Sequence, residues 1–208
     1  MAECFTKLLS LTKSQKSNDR FYAKFDNGEG FTVTIAHIAD FGLYSGMELS
    51  LEQYKKLSFA AERSKVRSRA MKMLGARPMS KGEVVEKLVQ KGEKEELAEE
   101  TAEYLEEIGA IDEEDYSRMI VSHYAAKGYG AGRIKNELYR RKIPREMWDG
   151  ALSHMPTQDD KIDRLLSAKL RGRTDDRREI KKATDMLLRR GFSYDEIRAA
   201  LGRLGTEE

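Results

Sequence analysis

The chain reads as mainly α-helical: three tandem three-helix repeats forming an elongated curved array, behind a small N-terminal β-hairpin or meander module. Three observations predict this. Apolar residues alternate with period two only before about residue 40, and from about residue 50 they recur at helical spacing. Val84 and Leu88 recur fifty residues later as Ile134 and Leu138, and 49 later again as Ala183 and Leu187. Four residues beyond each of those leucines a helix stop follows, at Gly92, Lys142 and Gly191.

In chain order, a first strand is expected near residues 5–12. Phe21, Ala23 and Phe25 then alternate with Tyr22 and Lys24, and Asp26-Asn27-Gly28-Glu29-Gly30 supplies turn chemistry. Phe31, Val33 and Ile35 resume the alternation, which is a β-hairpin signal. An isolated hairpin is marginal, so a three-stranded meander is expected. Residues 41–46 then turn the chain out of the module.

The helices come next. Phe59, Val66, Ala70 and Met73/Leu74 share a stripe, as do Val84, Val85 and Leu88, and Leu97, Thr101, Tyr104/Leu105 and Ile108. Gly75-Ala76-Arg77-Pro78 breaks the first of these helices, and Ser80 with Glu83 forms a capping box for the second. Asp112 with Asp115 starts a further helix with the stripe Tyr116, Met119/Ile120 and His123/Tyr124, stopped by Gly128-Tyr129-Gly130. After each helix stop, an apolar residue opens another helix at Leu97, Met147/Trp148 and Ile197. The expected division is residues 1–50 for the β-rich module, then 51–109, 110–155 and 156–208 for the repeats. Helices this short must pack against one another to be stable.

Charge patterning is uneven. The 208 residues hold 38 Lys and Arg against 36 Asp and Glu, a formal net charge of +2. By segment the balance is −2 over 1–54, +7 over 55–80, −10 over 81–115, +5 over 116–155 and +2 over 156–208. The near-neutral total excludes a generic DNA-coating protein. The blocks admit two readings: solvated helix faces that cancel once folded, or local fields that orient a partner. No apolar run is long enough for a membrane span or secretory signal, and Cys4 as the only cysteine excludes an internal disulfide. A soluble cytoplasmic protein is expected.

Catalytic constellations are absent from the pattern. Gly128-Tyr129-Gly130-Ala131-Gly132 has the wrong spacing for a dinucleotide loop and follows a helix rather than a strand, so it reads as a helix–helix turn. Asp112-Glu113-Glu114-Asp115 lacks the alternating ligands of a calcium loop and suits the amides of a first helical turn. His37, His123 and His154 are widely separated and lack a metal-binding partner motif. The expectation is a non-enzymatic protein without metal or cofactor.

What remains is binding. Lys127, Arg133, Lys135, Arg140, Arg141 and Lys142 flank Tyr129 and Tyr139, and Arg63, Lys65, Arg67, Arg69 and Lys72 crowd one helix, with Arg77 just beyond it. Arginine forks beside aromatic faces suit phosphate or an acidic protein surface. Positions spanning most of a helical wheel also include plain solvated charge. The candidate partner-binding set is therefore Arg67, Arg69, Lys72, Arg77, Lys127, Tyr129, Arg133, Lys135, Arg140, Arg141 and Lys142.

The run Ala70…Leu74-Gly-Ala-Arg77-Pro78-Met-Ser80-Lys-Gly-Glu83-Val84…Leu88…Lys91-Gly92 resembles the opening repeat of the RecX family of bacterial recombination regulators. Tyr104-Leu105-Glu-Glu-Ile-Gly109-Ala-Ile111-Asp112-Glu-Glu-Asp115-Tyr116 and Lys127-Gly128-Tyr129-Gly130-Ala-Gly-Arg133-Ile134-Lys-Asn-Glu137-Leu138 continue the resemblance. The segment 31–49, with Gly42-Leu43 and Gly46, resembles the β-containing extension of some members. The resemblance spans about residues 20–205 and is weaker in the last repeat, where Ala183 replaces a larger aliphatic residue. It implies a monomeric regulator in DNA repair, homologous recombination and the SOS response. Its partner would be the RecA recombinase as a filament on single-stranded DNA, whose ATP hydrolysis and strand exchange it inhibits. Charge reversal at Arg133, Arg140 and Arg141 is then expected to weaken filament binding without unfolding the chain. The rival reading is an autonomous DNA-binding protein built from helix-turn-helix-like units, with direct DNA contact in place of a recombinase.

Overall fold

Alternating Phe21/Ala23/Phe25 and Phe31/Val33 place one apolar face on each of two strands, and the computed structural model pairs them antiparallel as β2 (Arg20–Phe25) and β3 (Gly30–Thr34). The structure describes residues 5–15, 17–172 and 176–206. Cys4 therefore lies outside the described residues. In the β2–β3 turn, Gly28 takes a positive φ of 84° and the Asn27 side chain accepts from the Glu29 amide at 3.0 Å.

The sheet has four strands, in the order β3-β2-β1-β4, and so exceeds the expected meander by one. β1 (Phe5–Lys13) pairs with β2, and the short β4 (Glu48–Ser50) returns to pair with the first residues of β1, Phe5 opposite Ser50. Ile35 does not extend β3. The Thr34 hydroxyl captures the His37 amide while the His37 ring accepts from the Thr34 amide, which starts α1 (Ile35–Phe41). A local side-chain cap here outcompetes period-two alternation. Gly42, in the left-handed region at φ 59°, closes the helix and turns the chain back toward β4 instead of out of the module.

Among the described residues, ten α-helices and a 3-10 turn complete the chain. By contact density it forms two units, residues 1–76 with 88–105, and residues 77–87 with 106–208. In the first unit, Leu8, Phe25, Val33 and Leu49 of the sheet pack with Tyr54, Leu57 and Ala61 at the start of α2 (Leu51–Ala76). Each fully buried aliphatic side chain contributes about 1.5–3 kcal/mol. This sheet-facing stripe also corrects an expectation. α2 presents Tyr54, Leu57 and Ala61 inward, so Phe59 lies off the stripe and is half-exposed. On α4 (Glu95–Glu107) Leu97, Ala98, Thr101, Ala102 and Leu105 are buried while Ile108, beyond the helix end, is exposed.

The second unit begins with the first turns of α3 (Lys81–Gln90), where Ser80 and Glu83 form the expected reciprocal capping box. Then α5 (Glu113–Ala126), α6 (Ala131–Arg140), a 3-10 turn at Arg145–Met147 and α7 (Trp148–Ser153) enclose one core, built on Tyr116, Ile120, Ala125, Ile134 and Leu138. Met119 and His123, expected on the α5 stripe, are exposed because Val121 and Ala125 take the inner face. A second core lies among α8 (Asp159–Leu170), α9 (Arg177–Arg189) and α10 (Tyr194–Thr206), built on Ile162, Leu166, Ala183, Leu187 and Ile197. All six repeat-defining positions, from Val84 and Leu88 to Ala183 and Leu187, are fully buried.

Candidate functional site

The glycine string before α6 is a packing device. The first amides of a helix have no partner within it. Here Gly130 N–H donates to the Arg190 carbonyl and Gly132 N–H to the Gly191 carbonyl, both at 2.9 Å, so α6 begins where α9 ends. A Cβ on Gly130 would lie 2.4 Å from the Gly191 oxygen, and one on Gly191 would lie 2.1 Å from the Arg133 nitrogen. Fifty residues earlier the same relation recurs: the Ser80 hydroxyl donates to the Arg141 carbonyl, and a Cβ on Gly82 would meet the Lys142 Cβ at 2.5 Å. The helix stops Gly92, Lys142 and Gly191 all take positive φ, of 85°, 57° and 90°.

This docking orients α6. Its Ile134, Glu137 and Leu138 are buried, and its opposite side is open. At 100° per residue the exposed side reads Lys135, Tyr139, Asn136, Arg140 and Arg133 in angular order, an arc of about 160°. Arg133 and Lys135 make no ion pair among the described residues, and Arg140 reaches Glu137 only at 3.5 Å. Tyr139 is 63% exposed and brings an aromatic face to this side of the helix. A shallow groove beside Arg133 and Asn136 is completed by Leu188 and Arg189 of α9.

Neighbouring arginines are committed inside the fold. Arg141 donates from Nε to Glu137 at 2.8 Å and from Nη1 to the Tyr116 hydroxyl at 2.6 Å. Tyr116 in turn donates to Glu83 at 3.0 Å, and Arg77 donates to Glu83 at 2.7 Å and to the Tyr116 hydroxyl at 3.2 Å. Burial opposes charge on Arg141, yet the hydrogen bonds to Tyr116 and Glu137 outweigh it and hold its pKa above the ordinary arginine value. Burial likewise pushes the Glu137 carboxyl up, but Arg141 overrides it and the net direction is down. Arg77 is raised chiefly by its bond to Glu83. Charge reversal at Arg141 would leave Glu137 and Tyr116 facing a second carboxylate, so the expectation that all three reversals spare the fold does not extend to it.

In the first unit the basic helix meets the acidic one. Arg67 stacks on the Tyr104 ring with its guanidinium carbon 3.6 Å from the centroid, and it lies 3.5 Å from Glu100. Arg63 pairs with Glu100 and Arg69 with Glu93. Part of the +7 block is thus discharged against the −10 block within the fold. Lys72 stays exposed.

The remaining candidates divide similarly. Tyr129 is half-buried, with Tyr124 at 5.7 Å and the Arg190 guanidinium at 5.9 Å from its ring. Lys127 is exposed beside the Tyr124 ring, and Lys142 is exposed with its ammonium 3.9 Å from Glu86. The structure therefore places Arg133, Lys135 and Arg140 with Tyr139 on the open side of α6, and Arg67 and Arg69 in the other unit. Sequence reasoning passed over Leu188 and Arg189. The 49-residue offset from Tyr139 and Arg140 was the signal that locates them.

His37 serves as a helix cap, and no cluster of three His, Cys, Asp or Glu side chains suited to a metal occurs among the described residues. No described helix is long and apolar enough to cross a membrane.

Comparison with known proteins follows the repeat. Residues 67–105, 112–152 and 157–201 match the family models for the first, second and third three-helix domains of RecX. The chain is 25% identical over 197 residues to a regulatory protein RecX of Caldanaerobacter subterraneus, covering 94% of this chain and 97% of that one. It is 33% identical over 145 residues to a regulatory protein RecX of Pseudomonas fluorescens, covering 69% of this chain and 94% of that one. Its fold is similar to a crystal structure of a regulatory protein RecX, with a TM-score of 0.75 over 93% of this chain and 99% of the other, at 24% identity.

Proposed function

Because the chain belongs to the RecX family of regulatory proteins, we propose that it binds the RecA recombinase as a filament on single-stranded DNA and inhibits its ATPase and strand-exchange activities. The observation that carries this reading is the exposed face of α6. Arg133, Lys135, Asn136 and Arg140 share the open side of the helix with an uncovered Tyr139, while the other side is locked by Ile134, Leu138 and the Arg141–Glu137 pair. A rigid helix presenting an aromatic anchor among arginine and lysine donors suits an acidic protein surface, and aromatic and arginine side chains dominate binding energy at such contacts. Repeated three-helix domains allow successive filament subunits to be engaged together, which raises affinity through effective concentration. In this reading the protein is a cytoplasmic monomer that acts without chemistry of its own. Arg133, Lys135, Tyr139 and Arg140 carry the contact, with Lys127 and Lys142 at its margins. Tyr129 supports the α5–α6 turn from within.

The test is a recombinase ATPase assay on single-stranded DNA with the protein titrated in, alongside co-sedimentation with the filament. A dose-dependent fall in ATPase rate that the Arg133→Glu/Arg140→Glu double variant abolishes supports the proposal. An unchanged rate with no co-sedimentation overturns it. Equally tight binding to naked duplex DNA without recombinase would favour the autonomous DNA-binding reading instead.

A further inference from the structure

The outer face of the N-terminal sheet carries a feature that the repeats do not explain. Tyr22 pairs across the sheet with Thr32 on one side and Thr12 on the other, on the face opposite the apolar core, and it is 50% exposed. Its phenol lies over Gly30: a Cβ there would sit 2.5 Å from the Tyr22 hydroxyl oxygen and 2.7 Å from Cζ, so glycine leaves room for the ring in this position. Arg20, two residues along the same strand face, is anchored through its guanidinium to the Ser68 hydroxyl of α2.

Two hollows meet at this tyrosine, and Arg20, Tyr22 and Thr32 line both. One, of about 590 Å³, runs toward α2 at Ser58, Glu62 and Lys65. The other, of about 660 Å³, runs toward the end of β1 at Thr12, Lys13 and Lys72. Four cations, Lys13, Arg20, Lys65 and Lys72, therefore line the two hollows against two carboxylates, Asp19 and Glu62. The Asp19 carboxylate is already engaged by the Ser17 hydroxyl. An exposed aromatic face between two cation-lined, hydroxyl-rich hollows is the arrangement that receives a flexible polyanion with flat rings: the base stacks, and the phosphates on either side meet the cations.

We propose that this cleft binds a short stretch of single-stranded nucleic acid, with one base stacked on Tyr22 and the flanking phosphates at Lys65 on one side and Lys13 and Lys72 on the other. The contact is tolerant of base identity, since every base offers a stacking face. A duplex is excluded because its bases are not free to stack. The site is separate from the α6 face, and the proposal does not rest on recombinase binding.

The experiment is fluorescence anisotropy of labelled oligo(dT) and oligo(U), each about 12 nucleotides long, titrated with the full chain at low salt in the absence of recombinase. Tyr22→Ala is expected to weaken binding about ten-fold and Tyr22→Phe to retain it, as alanine substitution of a stacking ring does elsewhere. Lys65→Gln/Lys72→Gln is expected to flatten the dependence of affinity on salt. Circular dichroism of each variant establishes that the sheet is intact. No binding by the wild-type chain overturns the proposal, and so does equal affinity of folded Tyr22→Ala and wild type. Equal affinity for a duplex of the same length overturns it as well. Loss of binding on Arg133→Glu/Arg140→Glu but not on Tyr22→Ala would move the nucleic acid to α6 and likewise overturn it.

Discussion

The backbone N–H of Gly132 donates to the carbonyl oxygen of Gly191 at 2.9 Å, joining the start of α6 to the end of α9. With Gly130 N–H on the Arg190 carbonyl, it pairs orphan donors of one helix with orphan acceptors of another and brings the positive end of one helix dipole to the negative end of the other. The Ser80–Arg141 contact is the counterpart between α3 and α6.

Gly130→Ala should be among the costliest small substitutions in the chain. Its methyl group would meet backbone, not a movable side-chain end, at 2.4 Å. A loss of about 2–4 kcal/mol in urea unfolding is expected, as for overpacking against an unyielding neighbour. Gly150→Ala is the matched control. Nothing lies within 4 Å of its added Cβ, so a gain of about 0.5–1 kcal/mol from helix propensity is expected.

Lys142 occupies the left-handed helix stop that glycine fills at positions 92 and 191. A lysine there costs about 1–2 kcal/mol of backbone strain. Lys142→Gly should therefore raise the thermal midpoint, while Lys142→Val should lower it, since a β-branched residue fits that region worst. Equal midpoints for the two variants would refute the strain argument.

Tyr116 links Arg77, Glu83 and Arg141 through a single hydroxyl. Tyr116→Phe keeps the ring but leaves the buried Glu83 carboxylate short of a donor, and a loss of about 1–3 kcal/mol is expected. Arg141→Glu should destabilise more. Arg140→Glu, one residue earlier on the open face, should leave the unfolding midpoint nearly unchanged.

Glu113 is buried at the start of α5 and accepts from the Lys81 amide at 2.8 Å. Burial raises its pKa above the ordinary 4.5, with Glu106 and Glu146 adding to the rise and Lys81 opposing it. Because the folded value exceeds the unfolded one, the wild-type chain loses stability as pH rises through that folded value. Glu113→Gln keeps the acceptor and removes the charge. It should be more stable than wild type at neutral pH, with the difference vanishing below about pH 4.5, as read by unfolding midpoints across pH.

The proposed binding face was only partly legible. Charge counting finds Arg133, Arg140 and Arg141 as one cluster, yet neighbours on a helix point 100° apart. Arg140 therefore faces solvent and Arg141 turns to Glu137 and Tyr116. Which arginine is free depends on what packs beside it, and Tyr116 lies 25 residues away. The Tyr22 cleft was illegible for the same reason: its lysines come from β1 and α2, and nothing in strand alternation says which cations will crowd a given ring.

The features legible in the chain alone are local and periodic. Helix stops, the Ser80–Glu83 capping box, the β2–β3 turn and the buried Val84/Leu88, Ile134/Leu138 and Ala183/Leu187 pairs all follow from short-range chemistry repeated along the chain. Long-range packing settles which basic side chains among the described residues remain available. Ion pairing depends on distances between residues far apart in sequence, as with Arg67 on Tyr104 and Glu100, and a count of charges carries no information about those distances.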